Sequence, residues 1–190
     1  MSDAATSATE HYTIKQRITM GVNRYEISRS GADFVPTELI AFAQQKRMKL
    51  KEEVFFYEDD SKQKVLFSFK ARNVMDINSV VDVYDEAHQE LGTFQKDFGK
   101  SLLNSTWYLT VADLPKLTAR EASTGKAIAR RFGVPLVYNF VFTNEEGVEV
   151  ATVNRKFGVR DLYKVTVEDT RYDERVVLAM MVALDALQDR

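Results

Sequence analysis

The stretch from Val176 to Leu184 constrains this chain more than any other, because it is apolar without a break. It sits within Arg175-Val-Val-Leu-Ala-Met-Met-Val-Ala-Leu-Asp-Ala-Leu-Gln188, where no polar face appears at helical spacing until Asp185. Ala, Leu and Met are strong helix formers, and Val176, Val177 and Val182 are the only β-branched residues in it. A helix that is apolar all round must be buried all round. About fourteen residues at 1.5 Å each make a rod of roughly 21 Å, too short for a bilayer, which needs about 20 apolar residues. The stretch therefore reads as a core helix enclosed by the rest of the chain, and almost everything before it is strand-like.

The chain has 190 residues, 45% of them apolar, enough for one globular domain with a substantial core. Its 26 basic and 28 acidic side chains give a net charge of −2, which argues against a dedicated nucleic-acid binder. There is no cysteine, so disulfides and thiolate metal sites are excluded. Met1 to Glu10 is small and polar with no apolar signal-peptide core, and is expected to be a disordered tail. Residues 11–190 are expected to form the single domain. No apolar run is long enough to span a membrane, and the expected location is cytoplasmic, peripheral to the inner membrane face.

Short alternating runs follow one another along the chain: Tyr12 to Arg17, Arg24 to Ser28, Ile40 to Leu50, Val54 to Tyr57, Val65 to Arg72, Val80 to Tyr84, Leu91 to Phe98 and Thr106 to Val111, then Val137 to Thr143, Val148 to Asn154 and Tyr163 to Val167. Gly31 to Glu38, with Pro36, reads as a loop. About eleven short strands with polar turns between them indicate an all-β barrel or sandwich. An internal repeat agrees with this. Asp85 to Gly99 aligns with Asn144 to Gly158, so that Glu90 meets Glu149, Thr93 meets Thr152, and Phe98-Gly99 meets Phe157-Gly158. A weaker copy begins at Asp60. Each unit reads as a turn and an outgoing strand, and such units must share a core, since a lone hairpin is only marginally stable.

Ala112 to Pro135 interrupts the strand pattern and reads as a surface insertion, with one or two short helical turns over Thr118 to Arg131. Lys126, Arg130 and Arg131 interleave there with Ile128 and Phe132, the pattern of a basic amphipathic lip that would touch an anionic membrane. A solvated surface excursion is the simpler reading of the same residues.

Taken together, Tyr12-Thr-Ile-Lys-Gln-Arg17, Phe42-Ala-Gln-Gln-Lys-Arg47, Leu66-Phe-Ser-Phe-Lys-Ala-Arg72, Phe98-Gly-Lys-Ser-Leu-Leu-Asn-Ser-Thr-Trp107 and Arg175 to Gln188 resemble the LURP-one-related proteins of the tubby-like superfamily. The resemblance implies a mainly β fold: a closed antiparallel barrel of about twelve strands around a buried hydrophobic C-terminal helix. The superfamily also includes tubby domains, which bind phosphoinositides, and phospholipid scramblases. The spacing of acids and Gly that marks an EF-hand-like calcium loop is absent from this sequence.

No catalytic motif stands out. His11 falls beside the polar tail, and His88 aligns with Gly147 at a turn position expected to have φ > 0, which His tolerates better than most residues. Gly99-Lys100-Ser101 imitates the end of a P-loop, but Phe94 stands where the motif needs Gly. The carboxylate pairs Glu52-Glu53, Asp59-Asp60 and Glu145-Glu146 read as solvated turn residues. Asp185 is expected to reach water where the helix meets the barrel mouth; a buried carboxylate bonded to a barrel cation is the alternative. No catalytic residue, metal or cofactor is expected.

The surface signal is Lys46-Arg-Met-Lys-Leu-Lys51. In a strand, Arg47, Lys49 and Lys51 share one face, and Lys70 and Arg72 extend a similar row on another strand. Lysines on an exposed strand also discourage edge-to-edge aggregation. The expected function is a non-enzymatic binding module that docks on anionic phospholipid, or another phosphate-bearing ligand, through this basic face; the alternative is a protein-interaction scaffold with no lipid ligand.

Overall fold

The computed structural model describes residues 9–19, 22–46, 53–72, 80–97, 106–121, 139–156 and 162–188. Twelve strands precede one helix among them: β1 (Glu10–Thr19), β2 (Val22–Ser30), β3 (Pro36–Lys46), β4 (Val54–Tyr57), β5 (Val65–Ala71), β6 (Val80–Asp85), β7 (Glu90–Asp97), β8 (Thr106–Val111), β9 (Leu117–Glu121), β10 (Asn139–Thr143), β11 (Glu149–Lys156), β12 (Leu162–Val167) and α1 (Glu174–Gln188). Each strand pairs with its sequence neighbours, and β1 closes the barrel against β12. The closing pair is antiparallel and runs from Glu10 opposite Val167 to Lys15 opposite Leu162.

Closure explains the helix. About eight strands leave an interior that side chains alone can fill, and diameter grows with strand number. A twelve-stranded barrel is wide enough to need more, and a helix about 10–12 Å across with its side chains supplies it. Val176 to Leu184 are buried on every face, each 3% exposed or less. The helix touches β5, β6, β7 and β8 on one side, while Asp185 bonds Tyr25 of β2 and Tyr163 of β12 on the other. It comes closest at Gly92, where an added Cβ would stand 2.4 Å from the Thr110 carbonyl oxygen and 3.3 Å from Val176. Glycine at this position lets β7 pass between its neighbour and the helix. The inward wall is aromatic on this side: Phe56 stacks on Phe67 at 4.1 Å, and Phe69 meets Phe94 edge-on. No described helix is long and apolar enough to cross a membrane.

Three expectations are corrected. The interruption contains β9, the strand absent from the eleven runs, because Leu117 to Glu121 pair with β8 and β10 instead of coiling into helical turns. Leu117 and Ala119 point into the core and are fully buried, so cross-strand pairing overrides the helix propensity of Ala, Arg and Glu; residues 122–138 lie outside the described residues. Strand β3 begins at Pro36, inside the expected loop, and the register shifts beside it, a place that tolerates proline. Glu10 and His11 belong to β1, with His11 Nδ1 3.2 Å from the Thr166 hydroxyl. Residues 1–8, the rest of the expected tail, lie outside the described residues.

The repeat is real in backbone geometry. In the β6–β7 turn the His88 N–H donates to the Asp85 carbonyl at 3.1 Å and His88 takes φ 61°. In the β10–β11 turn the Gly147 N–H donates to the Asn144 carbonyl at 3.0 Å and Gly147 takes φ 81°. In the third copy Lys62, with φ 59°, bonds the carbonyl of Asp59. Each hairpin then carries a register shift just past its turn, between Val83 and Tyr84, Phe142 and Thr143, and Phe56 and Tyr57. In the first two copies the turn itself is a three-residue loop with an αL residue, closed by Asp85 N–H to the Gln89 carbonyl and Asn144 N–H to the Val148 carbonyl, and the register shift follows it at Leu91 and Val150. His88→Gly is therefore expected to melt near wild type, although it gives up the stacking of His88 on Tyr84 at 4.5 Å. His88→Val is expected to cost about 1–3 kcal/mol, because a β-branched residue is strained in the left-handed region. Thermal denaturation of the two variants checks this, and equal melting temperatures would refute it.

Candidate functional site

Strand alternation places Lys70 on the outer face of β5, directly opposite Asp82 of β6. Arg72, just past the end of β5, donates from Nε and Nη2 to the same carboxylate at 2.7–3.0 Å. Arg72 is thus held by a carboxylate that the sequence pattern did not disclose. Asp82 is 5% exposed while Arg72 and Lys70 face solvent. Asp82 is thus bonded to Arg72, and Lys70 stands opposite it in register.

Arg47, Lys49, Lys51, Lys126, Arg130 and Arg131 lie outside the described residues. The structure does place the strand ends between which they run. In an up-and-down barrel every connection from an odd to an even strand leaves and returns at one rim, and every other connection at the opposite rim. The ends of β3 and β4 and the ends of β9 and β10 therefore lie at the same rim as the ends of β5 and β6, beside Arg72, and the first two pairs of ends are six strands apart in a ring of twelve.

The connections segregate charge. In sequence, the segments running from odd to even strands contain Arg47, Lys49, Lys51, Arg72, Lys100, Lys126, Arg130, Arg131 and Arg160 against Glu52, Glu53, Asp76 and Asp161. Those at the second rim, with the link from β12 to α1, carry Asp33, Glu58, Asp59, Asp60, Glu86, Asp113, Glu145, Glu146, Glu168, Asp169 and Asp173 against Lys62, Lys64, Lys116 and Arg171. Among the described residues, the acidic turns gather at the second rim.

Inside the barrel the expectation for Asp185 is overturned. Its carboxylate is buried, 2% exposed, and does not reach water. The hydroxyls of Tyr25 and Tyr163 donate to its two oxygens, the first at 2.8 Å. Arg155 Nη2 stands 3.8 Å away, with its guanidinium over the Tyr163 ring. Burial, ahead of the adjacent Asp185 charge, pushes the Tyr163 phenol well above its ordinary pKa and keeps it a donor. Gln16, Asn23 and Gln45, buried in neighbouring inward rows, continue this polar layer. The layer lets a carboxylate end an otherwise apolar helix without solvent. Asp185 and the two tyrosines bond one another out of solvent, so this cluster reads as structure, while Gln16 keeps both ends of its buried amide without a hydrogen-bond partner.

The remaining candidates are plain. His88 is an exposed turn residue, and the Asp59-Asp60 and Glu145-Glu146 pairs lie in exposed turns. Glu53 accepts from the Ser68 hydroxyl at 2.8 Å. Phe94, at the place a P-loop reserves for Gly, is buried in β7. Among the described residues no group of three His, Asp or Glu side chains could hold a metal ion. A family model described as LURP-one-related matches residues 39–185, from β3 to Asp185. No curated protein and no solved structure matches the chain.

Proposed function

We propose that this chain, which belongs to the LURP-one-related family, is a non-enzymatic binding module that docks end-on on an anionic phospholipid surface through its basic rim. A soluble phosphate-bearing ligand is the narrower form of the same chemistry. The observation that supports the reading is topological: the closed up-and-down order sets the ends of β3 and β4 at the same rim as the ends of β9 and β10, and the sequence between those ends carries Arg47, Lys49 and Lys51 in one case and Lys126, Arg130 and Arg131 in the other. A flat anionic surface set across the barrel axis meets both at once. Arg72 and Lys70 adjoin that rim, and the acids gather at the other.

Each Lys or Arg near an anionic membrane contributes about 1 kcal/mol, within a Debye length. Three contribute roughly 3 kcal/mol, about a hundredfold in affinity at 1.4 kcal/mol per decade. Co-sedimentation with phosphatidylserine-containing vesicles is expected at low salt and should fade as salt rises. The triple reversal Arg47→Glu/Lys49→Glu/Lys51→Glu and the reversal Lys126→Glu/Arg130→Glu/Arg131→Glu are each expected to weaken binding by about a hundredfold or more, with the fold unchanged. An inositol phosphate in place of vesicles tests the soluble-ligand form. If wild-type protein ignores both probes at low ionic strength, the docking reading is wrong and a protein-interaction scaffold replaces it.

A further inference from the structure

Gln16 is 1% exposed, and neither end of its side-chain amide has a hydrogen-bond partner among the described residues. Nearly every buried polar group in a folded protein is bonded, so one that is not calls for a partner from outside the chain. Gln45, also buried, keeps its side-chain oxygen unbonded in the same way. The two glutamines share one sector of the barrel. Gln16 stands opposite Tyr25 across the β1–β2 pair, and Gln45 stands opposite Asn23 across the β2–β3 pair. Tyr25 and Asn23 are two apart on β2, and all four side chains are buried on the inward face. Two strand spacings and a two-residue offset part the Cα atoms of Gln16 and Gln45 by roughly 12 Å, a gap that two glutamine side chains and one or two small molecules span.

The neighbouring groups limit what can fill that gap. An occupant must donate to the two amide oxygens and accept from the Gln16 NH2. The hydroxyls of Tyr25 and Tyr163 are directed at Asp185 instead. An anion has no proton to give the oxygens, and it would approach the Asp185 carboxylate. A cation cannot accept from the NH2 group, and Arg155 already stands 3.8 Å from Asp185. Only a neutral molecule that both donates and accepts meets both amide ends. The cavity of about 270 Å³ at the other rim, beside Ile40, Leu66 and the first turn of α1, makes no such selection, because two arginines and two glutamates line it together.

We propose that this sector holds ordered internal water, bonded by the Gln16 amide and the Gln45 side-chain oxygen, between strands β1 to β3 and the last turns of α1. Water in such sites makes about three hydrogen bonds. Here it donates to the two oxygens and accepts from the Gln16 NH2. It thereby extends the bonded cluster around Asp185 across the inward rows of β1, β2 and β3, and lets polar side chains face a buried helix without meeting bulk solvent. The site is independent of docking at the basic rim.

The test uses the full chain, isotope-labelled, in water. Cross-relaxation between the Gln16 side-chain NH2 protons and water is expected to carry the sign of a long-lived bound molecule. Relaxation dispersion of water oxygen-17 counts internal waters, and Gln16→Leu is expected to lower the count by one or more per protein molecule. Gln44→Leu is the control, since Gln44 bonds Lys62 on the outside of the neighbouring strand, and it is expected to leave the count unchanged. Should Gln16→Leu not fold, Gln45→Met takes its place in the dispersion measurement. A Gln16 amide with no cross-relaxation to water would overturn the proposal. So would an unchanged count in the folded Gln16 or Gln45 variant, above all if Gln16→Leu also melts higher than wild type, the result expected when an unbonded buried amide is replaced by an apolar side chain.

Discussion

Met181→Lys is expected to leave no folded, soluble protein. Met181 is 2% exposed, midway along a helix whose residues from Val176 to Asp185 are all buried. A charge placed there without a partner costs several kcal/mol, against a total stability of about 5–15 kcal/mol for a domain. The alternative of a neutral lysine still fills an apolar site with a polar group. Met181→Leu, close in volume, is expected to cost less than about 1.5 kcal/mol and serves as the control. Circular dichroism and thermal melting of the two variants check this. A Lys variant that expresses well and melts within a few degrees of wild type would show that the helix is not the core.

Asp185→Ala is expected to cost about 3–5 kcal/mol, because it strands the buried Arg155 guanidinium and removes the acceptor of two tyrosine hydroxyls. For a chain of this size that corresponds to a fall of roughly 6–20 °C in melting temperature, at about 2–4 °C per kcal/mol. Replacing the pair together, Asp185→Leu/Arg155→Met, is expected to recover most of the loss, since apolar residues of similar volume often substitute for a buried ion pair at little cost. A double-mutant cycle on melting free energies measures the coupling. If Asp185→Ala alone melts like wild type, the carboxylate is solvated, as its position near the helix end first indicated.

That first indication failed for a definite reason. Asp185 follows an apolar run near the end of the chain, and a local view places such a residue in water. Its partners are Tyr25, Arg155 and Tyr163, of which Tyr25 is 160 positions away in sequence. Strand β9 escaped notice for a related reason. Leu117-Thr-Ala-Arg-Glu121 is short and rich in helix formers, and only β8 and β10 on either side turn its faint alternation into a strand. Asp82 carries no signal of its own in the sequence; only the pairing of β6 with β5 sets it opposite Lys70 and within bonding distance of Arg72.

What the sequence determined by itself is what consecutive residues encode. The unbroken apolar run from Val176 to Leu184 makes a buried helix. The alternating runs make strands. The alignment of His88 with Gly147 marks a turn residue with φ > 0, because a three-residue hairpin needs one wherever it occurs. Tertiary structure alone decided which residues meet. It put Asp185 among tyrosines and an arginine, turned Ile40 and Leu66 into a cavity, and gathered the described acidic turns at one rim. These are properties of barrel closure. Charge and burial depend on distances through space, and only the paired and closed sheet fixes those distances between segments far apart in the chain.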